Sequence, residues 1–343
     1  MKAIVAKFGG TSLADADSFR YVAHIVQQST DRRYVVVSAP GKRNGNDHKI
    51  TDMLLMCYQL ASHQLRFEDV FAIIRARFME IHQGLGLKQE LAPVLDDIEH
   101  RIRAGADRDY CASRGEYVNA LLMAEYLGWP MVDGTEIIRF HTGGRLDDKA
   151  TYRLIRQRLA EVERAVIPGF YGQDGEGSII TFSRGGSDIS GALVTRGVEA
   201  ALYENWTDVS GFLMADPAVV PDPQPIHSIT YKELRELSYM GAQVLHEEAV
   251  FPVREAGIPI HIKNTQRPQD PGTLIVPTQT EKKATIVTGI AGRKDFRVIS
   301  VEKARLREEA DFLRKLISVF ESNEVPIENM PSSIDSISVI VSQ

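Results

Sequence analysis

The chain has 343 residues, 43% of them hydrophobic and 25% charged, and a formal net charge of −6. That length exceeds one ordinary core and implies about two domains, and the charge balance leaves no basic footprint for nucleic acid. No apolar run approaches the roughly 18 residues of a membrane span, and the chain enters a strand pattern at once rather than a signal peptide, so a cytoplasmic location is expected.

Lys2 to Ala6 reads as a strand that runs into the turn Lys7-Phe8-Gly9-Gly10-Thr11-Ser12. An amphipathic helix follows, with Phe19, Val22, Ala23 and Val26 on one face and Asp15 and Asp17 at its start. A lysine before two glycines suits a polyphosphate, because glycine lets backbone approach a ligand closely. Read alone, a tight βα turn explains it equally well, and neither a Walker A loop nor a G-x-G-x-x-G fingerprint occurs.

Val35-Val36-Val37 is a buried-type strand ending at Ser38, followed by a polar loop from Ala39 to Lys49. That loop is either a plain solvated connection or a flap over a ligand, the former being favoured. A helix starts near Ile50, with Thr51 as its expected cap. The stretch from Gln59 to Gly105 is helical and charged, with Phe71, Ile74, Phe78 and Ile81 forming a core stripe. Ser113-Arg114-Gly115-Glu116 precedes a helix of small and apolar residues, and taken alone Glu116 reads as compensation of the helix dipole.

The strand-like Ile179 to Phe182 stops at Ser183-Arg184-Gly185-Gly186-Ser187-Asp188, where a small-residue helix begins. Ser187 and Asp188 are good N-caps, a helix N-terminus favours anions, and Arg184 adds a carboxylate fork. Trp206-Thr207-Asp208-Val209 ends another strand, which is where open α/β sheets place ligand groups. Asp216 to Pro225 is a surface loop, and a helix follows through Leu234, Leu237 and Gly241. The alternation of strands and helices implies a three-layer α/β fold with a mostly parallel sheet up to about residue 277.

Pro277 to Lys283 reads as a linker. Beyond it come a strand over Arg297 to Val301, a helix with Leu313, Leu316, Ile317 and Phe320 on one face, and strands at Val325 to Met330 and Ile337 to Val341. Cys57 and Cys111 lack C-x-x-C spacing and read as reduced buried thiols. The nine histidines show no H-E-x-x-H pattern.

Seven segments, in order, resemble the aspartokinase branch of the amino acid kinase family: Lys7 to Ser12, Ile50 to Asp52, Ser113 to Glu116, Pro168 to Phe170, Ser183 to Asp188, Trp206 to Val209, and Ile260 to Thr265. The resemblance implies an amino acid kinase fold over residues 1–277. It also implies ATP-dependent phosphorylation of the side-chain carboxylate of L-aspartate to 4-phospho-L-aspartate, the first step toward lysine, threonine and methionine. Aspartate is ionised at neutral pH, so charge neutralisation and alignment must carry such a reaction.

By motif position, Lys7 would stabilise the transferred phosphoryl group, Asp188 would hold Lys7, and the amides of Gly9, Gly10 and Thr11 would cradle phosphate. Arg184 and Ser187 would hold the substrate with Glu116 on its ammonium, and Ser38 and Thr51 would lie near the reacting carboxylate. Thr207, Asp208 and Lys263 would serve the nucleotide. Mg²⁺ is expected as the companion of ATP, with no protein metal ligand assigned. Leu213 and Ala218 stand where many aspartokinases carry tyrosine and arginine, which leaves the adenine contacts open.

Residues 278–343 resemble a linker and part of an ACT module, the small α+β regulatory fold that aspartokinases carry in pairs. The tail stops short of a full pair, so either the chain is shortened or a partner subunit supplies the rest. An open sheet edge would favour a homodimer or higher homo-oligomer. The corresponding hypothesis is feedback by lysine or threonine bound near Glu328, Ser332 and Ser333. Alternatives are a sister kinase acting on glutamate, acetylglutamate, carbamate or a nucleotide, an inert amino-acid-binding regulator, and a fusion with a dehydrogenase in a longer parent.

Overall fold

A computed structural model describes residues 3–183, 185–241, 245, 247–279, 287–302 and 311–342. Two compact units divide at Ile290 and Ala291. The first is built on a seven-stranded sheet in the order Ala165–Pro168, Arg32–Val37, Ile4–Phe8, Leu202–Thr207, Ile260–Asn264, Thr273–Val276, Ser228–Thr230. The first five strands run parallel, Thr273–Val276 turns antiparallel to Ile260–Asn264, and Ser228–Thr230 runs parallel to that strand.

Near-continuous apolar runs such as Val35-Val36-Val37 suit this sheet because both of its faces are covered. On one face Phe8, Val35, Val37 and Trp206 pack against Phe19, Phe71, Phe78 and Val118, which come from the helices Ala16–Gln27, Glu68–Leu85 and Arg108–Leu127. On the other, Val5, Val36, Tyr203 and Ile260 meet Ile155, Leu193 and Leu234 of the helices Asp148–Ala160, Gly186–Gly197 and Tyr231–Tyr239. Each fully buried side chain of this size contributes about 1.5–3 kcal/mol relative to exposure. The result is the three-layer α/β architecture expected from the alternation of elements.

Three helix starts differ from the sequence reading. The helix holding Glu116 begins at Arg108, capped by Asp107, so Glu116 sits in mid-helix where a dipole role has no basis. Thr51 is the second residue of the helix Ile50–Ser62, whose cap is Lys49. The helix Gly186–Gly197 is capped by Gly185 in the left-handed region, φ 58°, which places Ser187 and Asp188 inside its first turn.

The segment 287–290 belongs with the first unit: the Ile290 amide donates to the Met214 carbonyl at 2.7 Å, and Thr288 Oγ1 lies 2.7 Å from Glu233 Oε1. The sequence reading placed the boundary earlier, at 277/278.

The second unit has the expected β-α-β-β order. Its antiparallel sheet runs Phe296–Glu302, Ser336–Ser342, Ile327–Asn329, with the helix Phe312–Ser322. Its core joins Phe320, Ile337, Val339 and Val341 to Phe312 and Leu316. Leu313 and Ile317 are 43% and 39% exposed, because the inward stripe is 312, 316, 320 and those two fall on its rim.

Candidate active site

The register of the parallel strands gathers the polar residues. Phe8 is paired with both Val37 and Trp206, Val37 with Pro168, and Thr207 with Asn264, so the carboxyl ends of five strands finish level with one another. The residues that follow, at Gly9, Ser38, Gly169, Asp208 and Thr265, therefore rim one crevice.

At its centre Lys7, 7% exposed, places its Nζ 2.6 Å from Asp188 Oδ1. Asn205 Nδ2 donates to the same Oδ1 at 2.8 Å, and Tyr203 Oη donates to the Asp188 carbonyl at 3.0 Å. A near-buried ammonium is tolerable only with such a partner, and a second donor on the carboxylate fixes its direction.

The glycine turn lies beside this pair. The Gly9 amide donates to the Trp206 carbonyl at 3.0 Å, so it is committed to the sheet. The cradle expected from three amides is thereby narrowed to Gly10 and Thr11, at the start of the short helical turn Gly10–Leu13, where N–H groups lack intrahelical partners. Gly10 is required by space: a Cβ there would stand 2.8 Å from the Ala39 carbonyl oxygen. Gly169 is required likewise, since its Cβ would fall 2.7 Å from Ser187 Cβ.

Glu116, 5% exposed, faces the turn at Ala39, whose amide bonds to its carboxyl group. Its Oε2 is buried without a hydrogen-bond partner among the described residues. Burial pushes its pKa up to about 8, against weaker opposite pulls from the Ala39 amide, its own amide and Arg114. Arg114 itself is held in a cage of Tyr110, Tyr117 and Tyr171 at 4.6, 4.7 and 5.3 Å from the ring centroids. Asn119, one turn on, donates from Nδ2 to the Ser38 carbonyl at 2.7 Å and fixes the end of that strand.

On the far rim the Thr265 amide donates to the Thr207 carbonyl at 2.8 Å, and Thr265 Oγ1 shares a 2.7 Å hydrogen bond with Ser12. Thr207 Oγ1 is 3.2 Å from Asp208 Oδ1. Lys263 is engaged elsewhere: its ammonium donates to the Asp270 carbonyl at 2.7 Å and lies 5.6 Å from the Trp206 ring centroid. Burial lowers its pKa, with Glu204 opposing and Arg32 adding to the effect.

A profile of the Amino acid kinase family matches residues 2–264. Aspartokinase 3 of Bacillus subtilis (strain 168) is 34% identical over 354 residues, covering 99% of this chain and 78% of that protein. The chain belongs to the amino acid kinase family, in its aspartokinase branch. Among aspartokinases of solved structure, that of Clostridium acetobutylicum, described as an allosteric enzyme, matches with a TM-score of 0.92 at 49% identity, covering 100% of this chain and 78% of that one. Escherichia coli aspartokinase III, solved with aspartate and ADP, matches with a TM-score of 0.76 at 25% identity, covering 100% and 79%. Against Aspartokinase 1, chloroplastic, of Arabidopsis thaliana, the chain spans 62% of the relative's length.

Of the aspartokinase residues read from sequence, the fold thus brings together Lys7, Asp188, Gly10, Thr11, Ser38, Glu116 and Ser187. Thr207 and Asp208 lie on the same rim, and Thr51 is the second residue of a helix whose first amide, that of Ile50, donates to the Pro40 carbonyl at 3.3 Å. Arg184 lies outside the described residues. Glu328, Ser332 and Ser333 fall in the second unit, where Glu328 bonds to Ser342 Oγ and Arg293. Asn205 and Asn119 were not anticipated. The signal for Asn205 was available, since Glu204-Asn205 is a polar pair inside an otherwise buried strand.

Proposed function

We propose that this aspartokinase uses Lys7, held by Asp188 and Asn205, as the charge that guides the γ-phosphoryl group of ATP to the side-chain carboxylate of L-aspartate. The products are 4-phospho-L-aspartate and ADP. The arrangement that carries this reading is the Lys7–Asp188–Asn205 cluster between a glycine turn and a buried, half-satisfied glutamate. Asp188 does not act as a base, because the acceptor is already ionised; it aims Lys7. The amides of Gly10 and Thr11 would meet phosphate oxygens, and Glu116 Oε2 supplies the acceptor that an α-ammonium needs. Arg184 and Ser187 would hold the α-carboxylate, and Ser38 and Thr51 would flank the reacting group.

Thr207 and Asp208 would serve the nucleotide, and Lys263 would join them on leaving the Asp270 carbonyl. Mg²⁺ would come with the nucleotide, held mostly by phosphates and water, with no protein ligand assigned; among the described residues no three His, Cys, Asp or Glu side chains converge as a metal cage. When bound, Mg²⁺ neutralises charge on the nucleotide phosphates. Catalysis is assigned to residues 1–277, and the small α+β unit is the regulatory part, responding to lysine or threonine near Glu328, Ser332 and Ser333. Its strand Phe296–Glu302 leaves Val298 and Ile299 exposed, in keeping with pairing between copies of the chain. No helix of the described residues is long and apolar enough to cross a membrane; a cytoplasmic location accords with substrates of this kind.

Hydroxylamine trapping with ATP, Mg²⁺ and L-aspartate, beside glutamate and acetylglutamate, tests the reading. Aspartate-dependent hydroxamate is expected. Product from another acid alone would reassign the substrate.

A further inference from the structure

The loop after Ser38 was read as a solvated connection or a flap, and residues 42–46 are indeed exposed. Its two ends, however, are fastened. The Gly41 amide donates to the Gly10 carbonyl at 2.8 Å, and a Cβ on Gly41 would stand 2.6 Å from both Gly10 C and Thr11 N, so the two backbones touch with no side chain between them. Behind that contact lies Arg77 of the helix Glu68–Leu85. It is 3% exposed and occupies the same inward stripe as Ile74, Phe78 and Ile81.

One guanidinium nitrogen of Arg77 reaches the Gly41 carbonyl at 3.3 Å and the Ala14 carbonyl at 3.5 Å. The other grips both Asp47 oxygens at 2.5 Å. Asp47 also accepts from the Arg43 amide at 2.9 Å and from Arg43 Nε at 3.1 Å, and Arg43 continues to Glu80 at 2.9 Å. Burial alone would raise the Asp47 pKa, but the amides of Arg43 and His48 and the two guanidinium groups hold it well below the usual carboxylate range.

We infer that Arg77 is a positioning residue: by joining Ala14, Gly41 and Asp47 it locks the 39–49 loop onto the Gly10–Leu13 turn, and so holds the phosphate-facing amides and the Ser38–Ala39 substrate edge in one geometry. This rests on the assignment of those two segments to ATP and aspartate. A planar fork with several donors can bridge three acceptors from two segments, whereas a lysine can satisfy the carboxylate and leave the carbonyls unheld. Misplacement of reacting groups by about 1 Å costs up to about 100-fold in rate.

The test uses the full chain with Arg77→Lys and Asp47→Asn, read by turnover and by hydrogen exchange with mass spectrometry. Both variants are expected to lose about tenfold or more in kcat at saturating ATP and aspartate with helix content unchanged. Peptides covering 9–14 and 39–49 should both exchange faster. Exchange confined to 39–49, or wild-type kcat in the folded variants, overturns the inference. Should Arg77→Lys fail to fold, Asp47→Asn on the loop decides alone. Failure of the aspartate assignment shows separately, as wild-type protein that yields no hydroxamate; the exchange result then decides the coupling of the two segments.

Discussion

Glu116 makes the active site sensitive to pH in a way that can be worked through. Its carboxyl is pushed from 4.5 up to about 8, because burial penalises the charged form and its Oε2 has no hydrogen-bond partner among the described residues. At pH 7 only about one molecule in ten carries the ionised form that an ammonium requires. Substrate affinity should then fall about tenfold per unit below pH 8, and kcat/KM for aspartate, which reports the free enzyme, should climb between pH 6 and 8 and level off above. The same shift bears on stability. A carboxyl whose folded pKa is raised favours the fold at acid pH and loses that contribution as pH rises from 4.5 through about 8, with a ceiling of about 5 kcal/mol. Glu116→Gln should therefore flatten the profile, raise KM for aspartate, and melt higher than the wild type at pH 8.5 while differing little at pH 5. Steady-state kinetics over pH 6–9 and calorimetry at the two pH values read both effects. A flat wild-type kcat/KM from pH 6 to 8 would refute the argument that Glu116 is protonated before substrate binds.

Lys7→Ala should lower kcat by about 100-fold or more with far-UV circular dichroism unchanged, since it removes charge stabilisation of the transferred group; turnover near normal would remove Lys7 from the chemistry. Asn205→Ala leaves Lys7 in place but frees Asp188 to turn, and a drop of about tenfold in kcat with unaltered KM for aspartate is expected. Gly41→Ala forces a Cβ into the Gly10 and Thr11 backbone, so a lower melting temperature and a raised KM for ATP should appear together; a change in neither would mean the two loops are not packed as described.

Much of the fold was legible because each signal was local. The run Val35 to Val37, the stripe Phe71, Ile74, Phe78, Ile81 and the Asp15 cap each state their element within a few residues. The site was legible where chemistry and turn coincide, as at Lys7 and Asp188. The pairing of Lys7 with Asn205 could not be read locally, because it depends on the register of Ile4–Phe8 against Leu202–Thr207, strands that lie far apart in the chain. Glu116 was assigned to a helix start because the small residues after it look like the beginning of a run. The polar positions before it, Arg108 to Ser113, are in fact the same helix, whose buried residues include Cys111, Ala112 and Ser113. Arg77 was passed over because a charge within a helix is ordinarily solvent-facing; its place on the inward stripe was the clue.

The strand that carries Lys7 is made well before one of its two neighbours, since it lies in the interior of the sheet between Arg32–Val37 and Leu202–Thr207. During translation it has only one neighbour to pair with until residues beyond 200 have emerged. The nucleotide rim waits longer still, for Thr265 to reach Ser12. At ordinary elongation rates that interval is on the order of tens of seconds. Through it the Gly10–Leu13 turn and the exposed face of Ile4–Phe8 offer an unpaired edge to chaperones or to other nascent chains. Mutations that slow closure of the Ile4–Phe8 and Leu202–Thr207 pair should thus lower the yield of native protein more than they lower the stability of the molecules that do fold.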